Sequence, residues 1–440
     1  MVDLPSKWTL RSVESICQRV TSGGTPSRRR PDYFRNGTID WYKTGELRDR
    51  LLFGSEEKIT QEALESSSAK LFPIDTVLLA LYGDGDTITT LGLLKQPGAT
   101  NQACCAMIVD PTQADARFLF YALKHTRNDL LQRCVGGAQR NLSGRLVREH
   151  QIAVPPLREQ RAIAAVLGSL DDKIEQNRRT GRKLEALARA VFKAWFVDFE
   201  PVKAKAAGAT AFPGMPPETF AALRDRLQGS SLGPVPEEWE VGTLGDALTL
   251  SKQQINPQDY SDELFDHYSI PAFDAGQNAV VEQGGGIKSQ KSVVVPGCVL
   301  LSKLNPRIAR VWLTPVANER RQIASTEFLV ALPRPGWSRE FLFCLFLQDE
   351  FRDSLAQSAS GTSNSHQRVR PGDLQMRPLV VPSTFMREAF ADQVVPQMQL
   401  RAALHAESAK IATLRDYLLP RLLSGKVRVS HAERLTAEAV

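Results

Sequence analysis

The sequence predicts an α+β protein: two similar mixed α/β domains separated by two long helices that form an antiparallel coiled coil. Three observations carry this. The chain repeats itself at an offset of roughly half its length. Each copy ends in a short apolar strand and a proline, and a long helical pattern follows. The first of those patterns keeps a heptad seam. The boundaries that follow are 1–155 and 236–382 for the two domains and 156–200 and 383–428 for the helices. A linker is expected over 201–235 and a tail over 429–440.

The repeat starts near the N-terminus. Leu4-Pro5-Ser6-Lys7-Trp8-Thr9-Leu10 is echoed by Val235-Pro236-Glu237-Glu238-Trp239-Glu240-Val241, an offset of 231 residues. Phe118-Leu119-Phe120 matches Phe341-Leu342-Phe343 at offset 223. An amphipathic stretch follows each triplet. Then come the polar loops Gly136-Gly137-Ala138-Gln139-Arg140-Asn141 and Ser360-Gly361-Thr362-Ser363-Asn364-Ser365. Each leads to an apolar strand that stops at proline: Ile152-Ala153-Val154-Pro155 and Leu379-Val380-Val381-Pro382. Between the copies, Pro/Gly punctuation through 201–235 predicts a linker with at most one short helix, around 217–228.

The first helix carries its seam on Ile163, Leu167, Leu170, Ile174, Asn177, Gly181, Leu184, Ala188, Val191 and Trp195, in steps of four and three. Asn177 is a polar residue on the seam, which costs stability but fixes register and partner. Pro155-Pro156 is expected to start the helix and Pro201 to stop it. The second helix has a looser seam, on Phe390, Val394, Met398, Leu404, Ile411, Leu414, Leu418 and Leu422, with bends expected at Pro396 and Pro420 and termination at Gly425. A seam this long is buried most economically against another helix. A helix of about 40 residues spans ~60 Å. Such a pair would hold two similar domains at a fixed separation and in opposed orientation. On B-DNA they would touch two patches and leave the base pairs between them unread.

The 440 residues suffice for two or three domains. No apolar run approaches the ~20 residues of a membrane span, and the N-terminus lacks the apolar core of a signal peptide. A cytoplasmic protein without membrane contact is expected. The six cysteines form no CxxC pair and read as buried thiols. Net charge is +6, unevenly spread: residues 1–155 hold 20 basic and 17 acidic side chains, whereas 236–382 hold 14 and 17. Bulk charge therefore argues only weakly for nucleic acid, and any DNA contact has to come from local clusters or from partners.

The candidate DNA-contacting residues sit in polar, Gly-rich loops. In the first copy they are Ser22, Gly23, Gly24, Thr25, Ser27 and Arg28, then Lys43 and Thr44, Asn101 and Gln102, and Gln139, Arg140 and Asn141. Backbone amides and hydroxyls suit phosphate approach. Arg or Lys favours guanine, and Asn or Gln favours adenine. The counterparts in the second copy are Lys252; Lys303, Asn305 and Arg307; Ser325 and Thr326; and Ser363, Asn364, His366 and Arg368. Any one of these loops alone reads as an ordinary solvated turn. Their recurrence at matching places in two copies gives them weight.

No catalytic motif is found. Asn305-Pro306-Arg307-Ile308 lacks the third and fourth residues of an amino-methyltransferase tetrapeptide, and Gly425-Lys426 lacks the context of a phosphate-binding loop. Tyr82-Gly83-Asp84-Gly85-Asp86 lacks the closing ligands of a calcium loop. The histidines show no metal spacing. No bound metal or cofactor is expected on this chain.

Val154-Pro155-Pro156-Leu157-Arg158-Glu159-Gln160-Arg161-Ala162-Ile163 resembles the opening of the central conserved region of type I restriction-modification specificity subunits. So do Leu170-Asp171-Asp172-Lys173-Ile174-Glu175-Gln176-Asn177 and Ala194-Trp195-Phe196-Val197-Asp198-Phe199. Leu414-Arg415-Asp416-Tyr417-Leu418-Leu419-Pro420-Arg421-Leu422-Leu423-Ser424-Gly425-Lys426 is similar to that family's C-terminal conserved region. Ser22 to Ser27, Asn101-Gln102 and Gly136 to Gln139 look like features of its target-recognition domains. The resemblance implies a non-catalytic subunit whose two target-recognition domains each read one half of an asymmetric split site in double-stranded DNA. It implies docking of two modification subunits, which bring S-adenosylmethionine and methylate adenine, and of motor-nuclease restriction subunits, which use ATP and Mg2+. The second domain departs from the pattern: it lacks the Ser-Gly-Gly-Thr-Pro segment. Two other classes fit the residues themselves, a coiled-coil protein-interaction scaffold and a self-contained DNA methyltransferase or nuclease.

Overall fold

The computed structural model describes residues 5–83, 87–134, 141–316, 318–358 and 367–437. It has mixed α/β architecture with two helices of 40 residues each, Leu157–Phe196 and Thr384–Leu423. Two units are distinguished: Met1–Arg179 with His405–Val440, and Thr180–Leu404. Each long helix thus gives one part of its length to each unit.

The first unit is built on a five-stranded sheet in the order Cys17–Ser22, Cys104–Val109, Val77–Ala80, Leu91–Leu94, Arg50–Leu52. Its middle strands, Val-Leu-Leu-Ala and Leu-Gly-Leu-Leu, are buried along their whole length. An unbroken apolar run is what a strand covered on both faces requires. A smaller sheet, Glu57–Ile59, Ile39–Tyr42, Ala99–Thr100, lies beside it, and Thr9–Ser12 pairs with Gln151–Val154. The helix Ala116–His125 starts where Asp115 accepts from the Phe118 amide, and it buries Phe118, Leu119, Phe120 and Tyr121.

Ile163, Leu167, Leu170 and Ile174 enter that same core together with Ile411, Leu418 and Leu422 of the second long helix. The seam is therefore filled by both its helical partner and its own domain. Gln160 ties the helix start to the domain: its Nε2 donates to the Pro155 carbonyl at 2.9 Å, and its Oε1 accepts from the Asp115 amide at 3.0 Å. The helices run antiparallel here. Asp171 faces Arg415, and Asn177 donates to Glu407 at 2.7 Å.

The second unit repeats the plan. Its four-stranded sheet runs Leu248–Ser251, Phe328–Pro333, Val299–Ser302, Val311–Leu313. A five-stranded sheet contains Leu264–Tyr268 beside Arg321–Ala324, and Glu240–Thr243 pairs with Pro378–Val381. Ser338 caps the helix Arg339–Phe346 as Asp115 caps its counterpart. Phe192, Trp195 and Phe196 of the first long helix meet Phe341 and Phe390 in an aromatic core, with Phe192 and Phe341 centroids 4.9 Å apart. Val394 and Met398 are buried in it, and Arg401 pairs with Glu185 at 2.9 Å. Leu184, Val191 and Leu404 are only partly buried.

The duplication extends to single hydrogen bonds. Trp8 donates to the Pro5 carbonyl as Trp239 does to that of Pro236. The Asn101 amide donates to the Tyr42 carbonyl as Ser325 does to Tyr268, and Leu81 donates to Ala103 as Lys303 does to Glu327.

Three expectations are corrected. Pro201 does not end the first helix. That helix stops at Phe196, ahead of Phe199 in the left-handed region at φ 53°, and Pro201 lies in the first turn of a new helix, Glu200–Ala206, where its missing N–H costs nothing. The stretch 201–235 holds that helix, another at Pro217–Ala222, and a hairpin of Leu227–Ser230 with Gly233–Pro236. Its prolines and glycines start helices and turn strands rather than leave the chain open. The second long helix is continuous through Pro396 and Pro420 and ends at Leu423, ahead of Gly425, which has φ 69°. The expected tail forms the helix Val429–Ala437, with Ala432 buried in the first unit's core.

Among the described residues no helix is long and apolar enough to cross a membrane. All six cysteines are free; four are buried, and Cys17 and Cys134 are half-buried.

Candidate nucleic-acid interface

In the first unit the predicted residues gather around Trp41. The Gly24 amide donates to the Thr100 carbonyl at 2.8 Å, and Trp41 Nε1 donates to the Gly24 carbonyl at 3.0 Å. The Thr25 hydroxyl donates to Gln102 Oε1. Asn101 turns its Oδ1 inward to accept from the Ala103 amide at 3.2 Å, leaving Gln102 exposed beside it. Ser22 closes the adjoining strand, its carbonyl accepting from Lys70 at 2.9 Å, and Ser27 is exposed.

The two glycines are required by packing. A Cβ on Gly23 would lie 2.0 Å from the Thr100 carbonyl oxygen, and one on Gly24 would lie 2.2 Å from that of Ser68.

Arg28 lies over the rings of Phe34 and Trp41, at 4.3 and 5.1 Å from their centroids, and pairs with Glu57 at 2.5 Å. Lys43 reaches the same carboxylate at 2.8 Å, from the turn that starts the short helix Thr44–Leu47. Arg28, and then Lys43, hold the Glu57 carboxyl at about 2. Glu57 went unnoticed in the sequence, because nothing in its neighbourhood signals that two separated cations converge on it. Asn141 is exposed and bridges Tyr82, while Leu142 donates to Leu81 at 2.8 Å. Gln139 and Arg140 lie outside the described residues.

The second unit holds a matching set. Leu304 bridges Arg368 as Tyr82 bridges Asn141, and the Val369 amide donates to the Lys303 carbonyl at 3.1 Å. Ser325 Oγ accepts from the Glu327 amide at 3.3 Å, as Asn101 Oδ1 does from Ala103. Thr326, beside it, is half-buried. Asn305 sits in a left-handed turn at φ 51°, and its buried Oδ1 meets no hydrogen-bond partner among the described residues. Arg307 is exposed; its carbonyl accepts from Arg352 at 3.1 Å. Lys252 is exposed next to the strand Leu248–Ser251. Arg368 is clamped by Glu327, which follows Ser325 and Thr326 in the same candidate loop. Ser363, Asn364 and His366 lie outside the described residues.

Two polar platforms therefore share one backbone frame and differ in side chains. The family described as the type I restriction modification DNA specificity domain matches residues 5–186. The MjaIX specificity subunit of Methanocaldococcus jannaschii, a type I restriction enzyme component, is 25% identical over 97% of this chain and 95% of its own length. The HindI specificity subunit of Haemophilus influenzae is 25% identical over 62% of this chain and 68% of its own. The crystal structure of a type I restriction-modification system S subunit from M. genitalium has the same fold, with a TM-score of 0.53 at 14% identity over 96% of both chains. Along nearly its whole length this chain is thus similar to a type I restriction enzyme specificity subunit, and residues 5–186 match a type I restriction modification DNA specificity domain.

Proposed function

We propose that this chain selects a bipartite, asymmetric site in duplex DNA, with the first unit reading one half and the second unit the other. The observation that carries the reading is the pair of platforms: the same backbone bonds at Asn101 and Ser325, and at Ala103 and Glu327, present different side chains. A shared frame with unlike side chains suits two readers of unlike sequence. The same reading makes the long helices the docking surface for two modification subunits that carry S-adenosylmethionine and methylate adenine. Restriction subunits using ATP and Mg2+ complete the assembly. The second half's excess of acidic residues fits a division in which this chain chooses the sequence and its partners supply much of the grip.

Footprinting tests this. The full chain copurified with its modification subunits is expected to protect two patches of one duplex, with exposed base pairs between them. The chain alone is expected to bind weakly. A single continuous patch, or methylation by the chain unaided, would contradict the proposal.

A further inference from the structure

In the second unit the guanidinium of Arg368 lies side-on to Glu327, with Nε 3.1 Å from Oε2 and Nη2 2.9 Å from Oε1. The residues are 41 positions apart in sequence. The Leu304–Arg368 bridge and the Lys303 amide, which donates to the Glu327 carbonyl at 2.8 Å, bring them together. The Arg368 side chain is 57% exposed and that of Glu327 27%. An ion pair this exposed adds little to stability, so the fold gives no reason for its two-point geometry.

The geometry has a chemical consequence. Side-on pairing uses Nε–H and one Nη2–H. The remaining Nη2 hydrogen and those on Nη1 lie on the outward edge of the guanidinium. Two parallel donors there match the O6 and N7 acceptors that guanine presents in the major groove. An arginine already clamped loses less rotamer freedom when it makes that contact. Its charge is also largely balanced by the carboxylate, which makes it a poor phosphate anchor and leaves base reading as its use.

At the equivalent positions the first unit has no such pair. The positions equivalent by hydrogen bonding are Asn141 for Arg368 and Ala103 for Glu327, an amide and a methyl group.

We infer that Glu327 is a positioning residue that aims Arg368 at the O6/N7 edge of a guanine in the half-site read by the second unit. The inference rests on the proposed reading that this unit recognises one half-site.

The test maps methylated sites genome-wide in cells expressing the full chain with its native partners. Variants are Glu327→Gln, Glu327→Asp, Arg368→Lys and an exchange of 236–382 for the segment of a relative. Melting of each purified assembly checks its folding. One G:C pair in a single half-site is expected to lose its preference by about 5- to 150-fold in Glu327→Gln and Arg368→Lys. Arg368→Lys keeps the charge and loses the fork. Glu327→Asp is expected to retain the preference, and the other half-site to stay unchanged in all three point variants. Equal weakening at every position, or no G:C pair whose preference moves, would overturn the inference. If the segment exchange changes one half-site while the point variants change nothing, the inference alone falls. If the exchange changes neither half, the reading beneath it has failed.

Discussion

Asp171 on the first long helix accepts from Arg415 on the second at 2.6 Å, and the two side chains are only 11% and 14% exposed. The Tyr121 hydroxyl donates to the other oxygen of Asp171, also at 2.6 Å. This buried node joins both helices to the helix Ala116–His125. Removing Arg415 leaves the Asp171 charge buried without its cation, whereas removing Asp171 leaves Arg415 with the more exposed Asp416, 2.8 Å away. Arg415→Ala is expected to destabilise the first unit by about 3–5 kcal/mol, measured by urea unfolding, and Asp171→Ala by less, because Asp416 still pairs with Arg415. The double variant should cost much less than the sum. Additive losses would mean the pair is not coupled.

Glu57 neutralises Arg28 and Lys43, two cations the sequence offers for phosphate contact. Glu57→Gln frees Arg28 and leaves Lys43 only the exposed Glu56, 3.6 Å away. Affinity of the assembled complex for duplexes of any sequence is expected to rise, with log K falling more steeply against log salt by about 1–2. A loss of affinity would show that Glu57 orients Arg28 instead.

His150 gives the first unit a pH dependence. It is buried, and burial lowers its pKa to about 4, with Arg133 adding to the effect. The Thr126 hydroxyl donates to the Ala122 carbonyl, so His150 Nε2 donates to Thr126, 2.8 Å away. A second proton must then go on Nδ1, which is buried and has no partner among the described residues. The folded state therefore binds this proton less readily than the unfolded state. The stabilisation is complete above about pH 6.5 and is lost as pH falls towards 4, roughly 3 kcal/mol in all. His150→Asn should flatten the stability profile between pH 6.5 and 4.5 relative to wild type. An unchanged slope would contradict the assignment.

What the sequence made legible was periodic or repeated. Trp8 and Trp239, the Phe-Leu-Phe triplets, and the seam from Ile163 to Ile174 all reappear in the structure in equivalent or buried positions. Periodicity reports burial directly, because it is burial that imposes it. It did not report what covers the seam, and Ile163 to Ile174 prove to be packed by their own domain as well as by the second helix. Asn177 was legible as a polar residue on the seam, but its partner Glu407 was not, since no local pattern links positions 230 apart. Gly23 and Gly24 illustrate a different limit. A Gly-Gly pair suggests close approach of a ligand, whereas the approaching atoms here are the carbonyls of Thr100 and Ser68. Gly24→Ala is accordingly expected to lower stability by about 1–3 kcal/mol in the absence of DNA, read from the melting midpoint. The ion pairs of Glu57 and Glu327 stayed hidden because an acidic residue in a loop signals nothing until its cations are placed beside it.

The central claim is that two units read two halves independently. Exchanging residues 1–155 for those of a relative, in the otherwise native assembly, and mapping methylated sites across the genome tests it most directly. One half of the split site is expected to change to the relative's, while the other half stays as in wild type. A change in both halves would contradict the account.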